Sequence, residues 1–123
     1  MKINSWRELE VYKNAFALQQ AIFEISKAWP KSEIYSLIDQ IRRSSRSVGA
    51  NITEAWSKRR YPAHFVSKLT DADGELQETL HWLASAEACG YIEACDSAEL
   101  QTQAVLIGRQ LGSMTNRHKT FCF

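Results

Sequence analysis

The sequence predicts an all-α protein, an antiparallel up-down-up-down four-helix bundle. Apolar residues recur at three- and four-residue steps through most of the 123 residues, which is the period of a helix with one buried face. Only two prolines and five glycines occur, and most of them fall where a helix would end. No segment alternates with period two for more than a few residues, so strands are not expected. Four helices with short connections favour this bundle.

The first helix is predicted over about residues 6–28. Ser5 is the expected N-cap, with Glu8 as its capping-box partner. Two apolar stripes follow: Val11, Ala15, Leu18, Ile22, Ile25 and Trp29 in one, and Leu9, Tyr12, Phe16 and Phe23 in the other. Two stripes make a wide apolar face, so this helix should contact more than one neighbour. Pro30 ends it, because the residue before a proline avoids the helical conformation.

The second helix is predicted over about residues 33–60. Its expected core positions are Ile34, Leu37, Ile41, Ser44 or Ser45, Val48, Ile52 and Ala55. Small residues stand where a core would be bulky, namely Ser44, Ser45, Ser47, Gly49 and Ala50. They predict that another helix backbone approaches closely. The helix should end in Lys58, Arg59 and Arg60, cations that suit the negative end of the helix dipole.

The third and fourth helices are predicted over about residues 62–89 and 97–115. Pro62 suits the first helical position, and Gly90 suits the position after a helix. Asp96 with Glu99 is interpreted as a capping box that opens the fourth helix. The expected core residues are Phe65, Leu69, Ala72, Leu76, Leu80 and Leu83, then Leu100, Ala104, Ile107, Leu111 and Met114. The tail, 116–123, is expected to fray unless Phe121 and Phe123 dock.

The overall composition excludes several classes of protein. A net charge of +1 gives no global attraction to nucleic acid, so any such binding needs a local basic patch. No apolar run reaches membrane-spanning length, and residues 1–10 show no signal-peptide pattern. Three cysteines, Cys89, Cys95 and Cys122, form no even disulfide framework, which predicts free thiols and a cytoplasmic protein. A disulfide between Cys89 and Cys95, or a zinc site with His64 and His81, is the less favoured alternative.

Arg42, Arg43 and Arg46 form the strongest candidate site. Arginines this close repel one another unless an anion or carboxylates neutralise them. One interpretation is ion pairing within or between chains, and the other is binding of a nucleic-acid phosphate. The carboxylates available for the first are Asp39, Glu54, Asp71, Asp73, Glu75 and Glu78. The sequence leaves both interpretations open.

A second basic patch comprises Lys58, Arg59 and Arg60, with Trp56 and Tyr61 beside them. Charge combined with aromatic stacking can bind single-stranded nucleic acid. The alternative is a solvated helix end that is favoured by the dipole. These three cations and the three arginines of the strongest candidate site are therefore the candidate nucleic-acid contacts.

Asn51 and Glu54 lie one turn apart near the small residues. We expect them to form hydrogen bonds across helices, since a buried asparagine more often fixes register than performs chemistry. Glu75 and Glu78 are placed with them as interface or structural residues.

Glu78 and His81 match the Glu-x-x-His pattern of di-iron bundles, with Glu54 as an additional ligand. Such sites need two copies of the pattern and two more glutamates, and only one copy is present. The sequence also has no glycine-rich phosphate loop, nucleophile elbow or zinc signature. We therefore predict a non-enzymatic protein without a metal or cofactor.

Six segments resemble the small four-helix-bundle proteins encoded in intervening sequences of bacterial 23S ribosomal RNA genes. They are WRELEVYKNA at 6–15, WPKSEIYSL at 29–37, QIRRSSRSV at 40–48, NITE at 51–54, GELQET at 74–79 and GYI at 90–92. The resemblance spans nearly the whole chain and keeps the order of the segments. That family also resembles accessory proteins of the reverse transcriptases in diversity-generating retroelements.

The resemblance implies a bundle that assembles into rings, often pentamers, and a nucleic-acid-associated role with RNA, DNA or a reverse transcriptase as partner. The sequence departs from the family pattern at Gly49-Ala50, Ala55 and Glu75, which indicates a subgroup. The functional prediction is an oligomeric, non-enzymatic adaptor that contacts nucleic acid through its second helix. The alternative is a protein–protein assembly module that binds no nucleic acid.

Overall fold

A computed structural model describes residues 2–123 and is all-helical, with four long helices and a short one. The long helices are α1 (Glu10–Ser26), α2 (Leu37–Ser57), α3 (Pro62–Ala88) and α4 (Ala94–Asn116), and the short one is α5 (His118–Phe121). Two 3-10 turns, Trp6–Glu8 and Lys31–Glu33, precede α1 and α2. The described residues contain no strand, as predicted. None of these helices has the combination of length and hydropathy needed to cross a bilayer.

Each long helix packs against two others. α2 lies between α1 and α3, with its most extensive contact to α3, and α4 contacts both α3 and α1. The core between them consists of apolar side chains from all four, whose largest fully buried members include Leu18, Ile22, Ile41, Ile52, Phe65, Leu69, Leu76, Leu83, Ile107 and Leu111. The apolar period of the sequence thus placed most core positions correctly. Phe16 of the second stripe on α1 is an exception, since it is 46% exposed.

The chain enters α1 through a separate turn. The capping box of Ser5 and Glu8 is present, but it caps the 3-10 turn Trp6–Glu8. Leu9 then adopts an extended conformation (φ −68°, ψ 127°), and α1 starts at Glu10. The prediction of one helix from residue 6 is therefore wrong. The capping box belongs to the 3-10 turn, and the extended residue Leu9 separates this turn from α1, a break that the apolar stripe does not reveal.

α2 begins later and ends earlier than predicted. The Glu33 carboxylate accepts hydrogen bonds from the Ser36 hydroxyl and the Leu37 amide, which fixes a turn ahead of the helix. Ile34 lies in this turn and is 45% exposed, so its assignment to the core was wrong. At the other end α2 stops at Ser57, and residues 58–60 form a turn.

The small residues of α2 separate into two groups. Ser44, Ser45 and Gly49 are buried, whereas Ser47 is half-buried and Ala50 is exposed. Against α3, the Thr79 hydroxyl donates to Ser44 Oγ at 2.9 Å. Against α1, the ring of Tyr12 comes within 3.6 Å of the point where a Cβ on Gly49 would lie. Small side chains therefore admit a neighbour on two sides of α2.

The ends of α3 and α4 follow their local chemistry. Gly90 has φ +76°, and the Tyr91 amide donates to the Ala86 carbonyl at 2.9 Å, which closes α3 as the glycine predicted. α4 starts at Ala94, so Asp96 lies within its first turn and is not the N-cap. A carboxylate at this position still interacts favourably with the positive end of the helix dipole.

The C-terminal residues are more ordered than expected for a frayed tail. Residues His118–Phe121 form α5, and the buried Phe121 ring stacks on that of Phe65 with 6.1 Å between centroids. Phe123 is 75% exposed, and its amide donates to the Arg59 carbonyl at 3.2 Å. The tail is thereby attached to the turn after α2.

Candidate functional site

The first half of α2 and the turn before it form a shallow groove of about 630 Å³. It contains all three arginines of the candidate cluster. The lining residues are Ile34, Tyr35, Ile38, Asp39, Arg42, Arg43, Arg46, Ser47 and Ala50. We call this surface the arginine groove.

Arg42 is attached to the end of α1. Its Nε donates to Ser26 Oγ at 2.9 Å and its Nη2 to the Phe23 carbonyl at 3.3 Å. The guanidinium also lies over the Phe23 ring, 4.7 Å from the centroid. Carbonyls at a helix C-terminus carry partial negative charge, so this cation is stabilised without a carboxylate.

Arg43 faces α3 and is neutralised there. Its Nη1 lies 3.2 Å from Glu75 Oε2, and its Nη2 pairs with Glu78. The hydrogen bond to Glu75 raises the pKa of Arg43, with a further contribution from Glu78. The pKa of Glu78 is lowered, first by the indole N–H of Trp82, which donates to it at 3.1 Å, and then by Arg43. Arg43 is therefore engaged in ion pairs across the α2–α3 interface.

Arg46 is exposed and has no carboxylate within 4.0 Å among residues 2–123. Its nearest aromatic contact is again Phe23, with 5.6 Å from the guanidinium carbon to the ring centroid. The three arginines thus differ in environment: one is paired with carboxylates, one is bound to α1, and one is free for an external anion.

Two exposed apolar side chains border the arginine groove, and sequence analysis missed both as site residues. Tyr35 is 95% exposed and Ile34 is 45% exposed. Both lie in the turn that Glu33 organises ahead of α2, with Ile38 buried beneath. An aromatic residue outside the apolar stripes of the sequence was the available signal. Asp39 is the one carboxylate that lines the groove.

The second basic patch is only partly available. Arg59 stacks on Trp56 with 3.6 Å from its guanidinium carbon to the ring centroid, and its Nε donates to the Trp56 carbonyl at 2.9 Å. The Phe123 ring is also near, with 5.2 Å from the same guanidinium carbon to its centroid. Lys58 and Arg60 remain exposed. This patch lies roughly 20 Å along α2 from the arginine groove at 1.5 Å per residue.

Asn51 and Glu54 have different partners. Asn51 Nδ2 donates to the Ser47 carbonyl at 2.9 Å, one turn back in the same helix, so the expectation of a cross-helix bond was wrong for Asn51. Asparagine commonly bonds to nearby backbone in this way. Glu54 does reach across, with Oε2 2.7 Å from Lys68 Nζ on α3.

The residues considered as metal ligands do not come together. Glu78 is engaged by Arg43 and Trp82, and Glu54 by Lys68. His81 packs edge-on against Trp82, with 4.8 Å between ring centroids. Over residues 2–123 no three histidine, cysteine, aspartate or glutamate side chains converge on a possible metal position. The three cysteines are free thiols, with Cys89 and Cys95 exposed.

Comparison with known proteins identifies the family. A crystal structure of a protein with unknown function from the S23 ribosomal protein family of Bacteroides thetaiotaomicron is 27% identical in sequence, with a TM-score of 0.78. The match covers 86% of this chain and 95% of that one. No curated protein gives a match. The model of the family described as 23S rRNA-intervening sequence protein matches residues 7–113, so the chain belongs to this family.

Proposed function

We propose that this protein is a non-enzymatic, oligomeric adaptor that binds RNA or DNA through the arginine groove. The observation that carries the proposal is the environment of Arg46, an exposed cation that lines the groove and has no carboxylate within 4.0 Å among residues 2–123. Arg42 lines the same groove and uses α1 carbonyls and a hydroxyl rather than a counter-ion. Two cations that no carboxylate neutralises favour an anionic partner.

Binding would act mainly through phosphates. Arg43 contributes little because Glu75 and Glu78 neutralise it, so the effective cations are Arg42 and Arg46. Lys58 and Arg60 supply a second, separate contact at the far end of α2. Phosphate contacts position a nucleic acid without base-specific recognition, which is what an adaptor for a nucleic-acid enzyme such as a reverse transcriptase needs.

The alternative function, a protein–protein assembly module, is favoured by a different observation. Exposed apolar side chains occur not only beside the groove but also on α1, at Phe16, and on α4, at Val105 and Leu106. Exposed apolar patches commonly mark protein interfaces. In this alternative, the groove would be covered by another subunit and the arginines would be consumed there.

We further propose that the long helices alternate in direction as an up-down-up-down bundle, and that copies assemble into a ring in the cytoplasm. The contacts of α1 with α4 and of each helix with its sequence neighbours support the first. The family resemblance supports a ring, with a pentamer as the expected number. Free thiols support a reducing compartment.

A salt series tests nucleic-acid binding. Affinity for labelled single-stranded RNA and duplex DNA would be measured for wild type, an Arg46→Ala variant and an Arg42→Ala/Arg46→Ala double variant. We expect affinity to fall steeply with salt, and the slope of log K against log salt to drop by about 0.7–0.9 for each phosphate contact removed. Arg43 is left in place so that its ion pairs with α3 stay intact.

A Lys13→Ala/Arg109→Ala variant is the matched control, since it removes the same charge from exposed positions outside both basic patches. It should keep the wild-type slope. A Lys58→Ala/Arg60→Ala variant measures the second patch separately. Absence of binding at low salt, together with dissociation of the arginine variants into smaller species, would instead support the assembly module.

A further inference from the structure

We infer that the arginine groove takes a single-stranded segment of nucleic acid, with Tyr35 as the surface on which an unpaired base stacks. This inference rests on the proposed function and specifies its ligand. Three features of the groove support it: an aromatic ring, two cations that no carboxylate neutralises, and an apolar floor. All three belong to the residues that line the groove.

Tyr35 is unusual in its exposure. Among residues 2–123 it is the most exposed large apolar residue, at 95%, and it makes none of the ring–ring contacts that Tyr12, Tyr61 and Tyr91 make. The turn that carries it is nevertheless fixed by the hydrogen bonds of Glu33 to Ser36 and Leu37. Because the backbone of this turn is already fixed, a ligand that stacks on the ring has to order only the side chain.

Glu33 is held in turn by the rest of the fold. Its second carboxylate oxygen accepts a hydrogen bond from the Tyr91 hydroxyl at 2.8 Å, from the connection between α3 and α4. The Tyr91 ring packs near the buried Trp29, with 6.3 Å between centroids. The position of Tyr35 is therefore set by contacts on both sides of the turn.

The cations are spaced for one strand. Arg42 and Arg46 are one turn apart, about 6 Å along the axis of α2, so successive phosphates of one strand can reach both. Asp39 lies in the same groove about one turn before Arg42, and it repels phosphate at that end of the groove. The base then lies toward Tyr35 and Ile34, over the buried Ile38.

A duplex fits this surface poorly. Its bases are paired and stacked internally, so it can offer phosphates to the arginines and no free base face to Tyr35. Stacking of a free base on an aromatic side chain is sequence-tolerant and adds to the phosphate contacts. The groove should therefore prefer single strands over duplexes of equal length.

The test compares Tyr35→Ala and Tyr35→Phe with wild type on an unstructured RNA of about 12 nucleotides, on a duplex of equal length, and on the same single strand with abasic nucleotides. We expect Tyr35→Ala to weaken single-strand binding roughly tenfold or more, with little change in salt slope and none in duplex binding. Tyr35→Phe keeps the ring and should keep the affinity. Wild type should bind the abasic strand about as weakly as Tyr35→Ala binds the normal one.

The possible failures are distinguishable. If Arg42→Ala/Arg46→Ala lowers the salt slope but Tyr35→Ala changes nothing, the proposed function stands and the stacking inference falls. If no nucleic acid binds at low salt, both fall. If Tyr35→Ala changes the sedimentation of the assembly and weakens single strand and duplex alike, Tyr35 belongs to a subunit interface and the inference is overturned.

Discussion

The positive charges of the α2 arginines are stabilised differently on the two sides of the helix. Toward α3, Arg43 meets Glu75 and Glu78, and the Ser44 hydroxyl accepts from Thr79. Toward α1, Arg42 meets a carbonyl, a serine hydroxyl and the Phe23 ring, and no carboxylate. Neighbouring arginines of one helix therefore acquire different roles from the helix that each one faces.

This difference separates structural cations from available ones. α3 presents acidic side chains to α2, so charge on that side is consumed within the chain. α1 presents aromatic and small polar groups, so charge on that side stays unneutralised near Arg46. Functional binding is consequently expected near the arginines on the α1 side of α2, whereas the ion pairs on the α3 side are structural.

The largest effect should come from the packing on the α3 side. Ser44 is fully buried against Thr79, so Ser44→Leu adds volume to a filled site. We expect a loss of about 1–3 kcal/mol in the free energy of unfolding, as overpacking of a core usually gives. Urea denaturation followed by circular dichroism measures it.

Ala50→Leu is the matched control, because Ala50 is on the same helix but exposed. Its effect should stay within about 0.5 kcal/mol. Equal destabilisation by both substitutions would contradict the view that α2 is closely packed at Ser44 and open at Ala50.

The next effect compares Arg42 with Arg43. Arg42→Met should cost about 1–2 kcal/mol, because two part-buried acceptors at the end of α1, Ser26 Oγ and the Phe23 carbonyl, lose their charged donor. Arg43→Met should cost less than about 1 kcal/mol, since its side chain is 44% exposed and solvent screens its ion pairs. Methionine keeps the aliphatic stem in both. Thermal and urea unfolding of the two variants would decide, and a larger loss for Arg43→Met would reverse the comparison.

Much of the fold could be predicted from the sequence, because burial of an apolar stripe is a property of spacing. Leu69, Leu76, Ile107 and Leu111 lie where their period placed them. The errors occurred at the ends of helices, where a single side chain can determine the residue at which a helix begins. The Glu33 carboxylate fixes a turn, so that α2 begins only at Leu37. The apolar periodicity of the sequence does not predict such a contact.

The position of the candidate site could be predicted from the sequence, but the different environments of its three arginines could not. The spacing of Arg42, Arg43 and Arg46 identified a basic segment on α2. Which of them meets a carboxylate depends on how α3 is turned, and a pattern within α2 contains no such information. Tyr35 was missed because it lies in a turn, where exposure follows from local hydrogen bonds rather than from a helical stripe.

Acid should weaken the α3 side through Glu78. Trp82 and Arg43 lower its pKa in the folded protein below the ordinary value of 4.5, so the unfolded chain binds more protons at acidic pH. The stabilisation is complete above about pH 5 and is lost as pH falls through the lowered pKa. The stability difference between wild type and Glu78→Gln should therefore shrink below pH 4.5. A constant difference from pH 7 to pH 3 would show that this carboxylate does not titrate as described.

The smallest effect should come from the ion pair of Glu54 and Lys68, the other charged contact between α2 and α3. Its atoms lie 2.7 Å apart, yet the side chains are 53% and 33% exposed. A double-mutant cycle with Glu54→Gln and Lys68→Met should give a coupling energy close to zero, and any coupling should disappear in about 1 M salt as the Debye length falls to about 3 Å. A clear coupling that survives high salt would mean that charge, rather than close packing at Ser44, dominates the α3 side. The contrast between the two sides of α2 would then lie in the strength of their ion pairs, and the low cost expected for Arg43→Met would have to be revised with it.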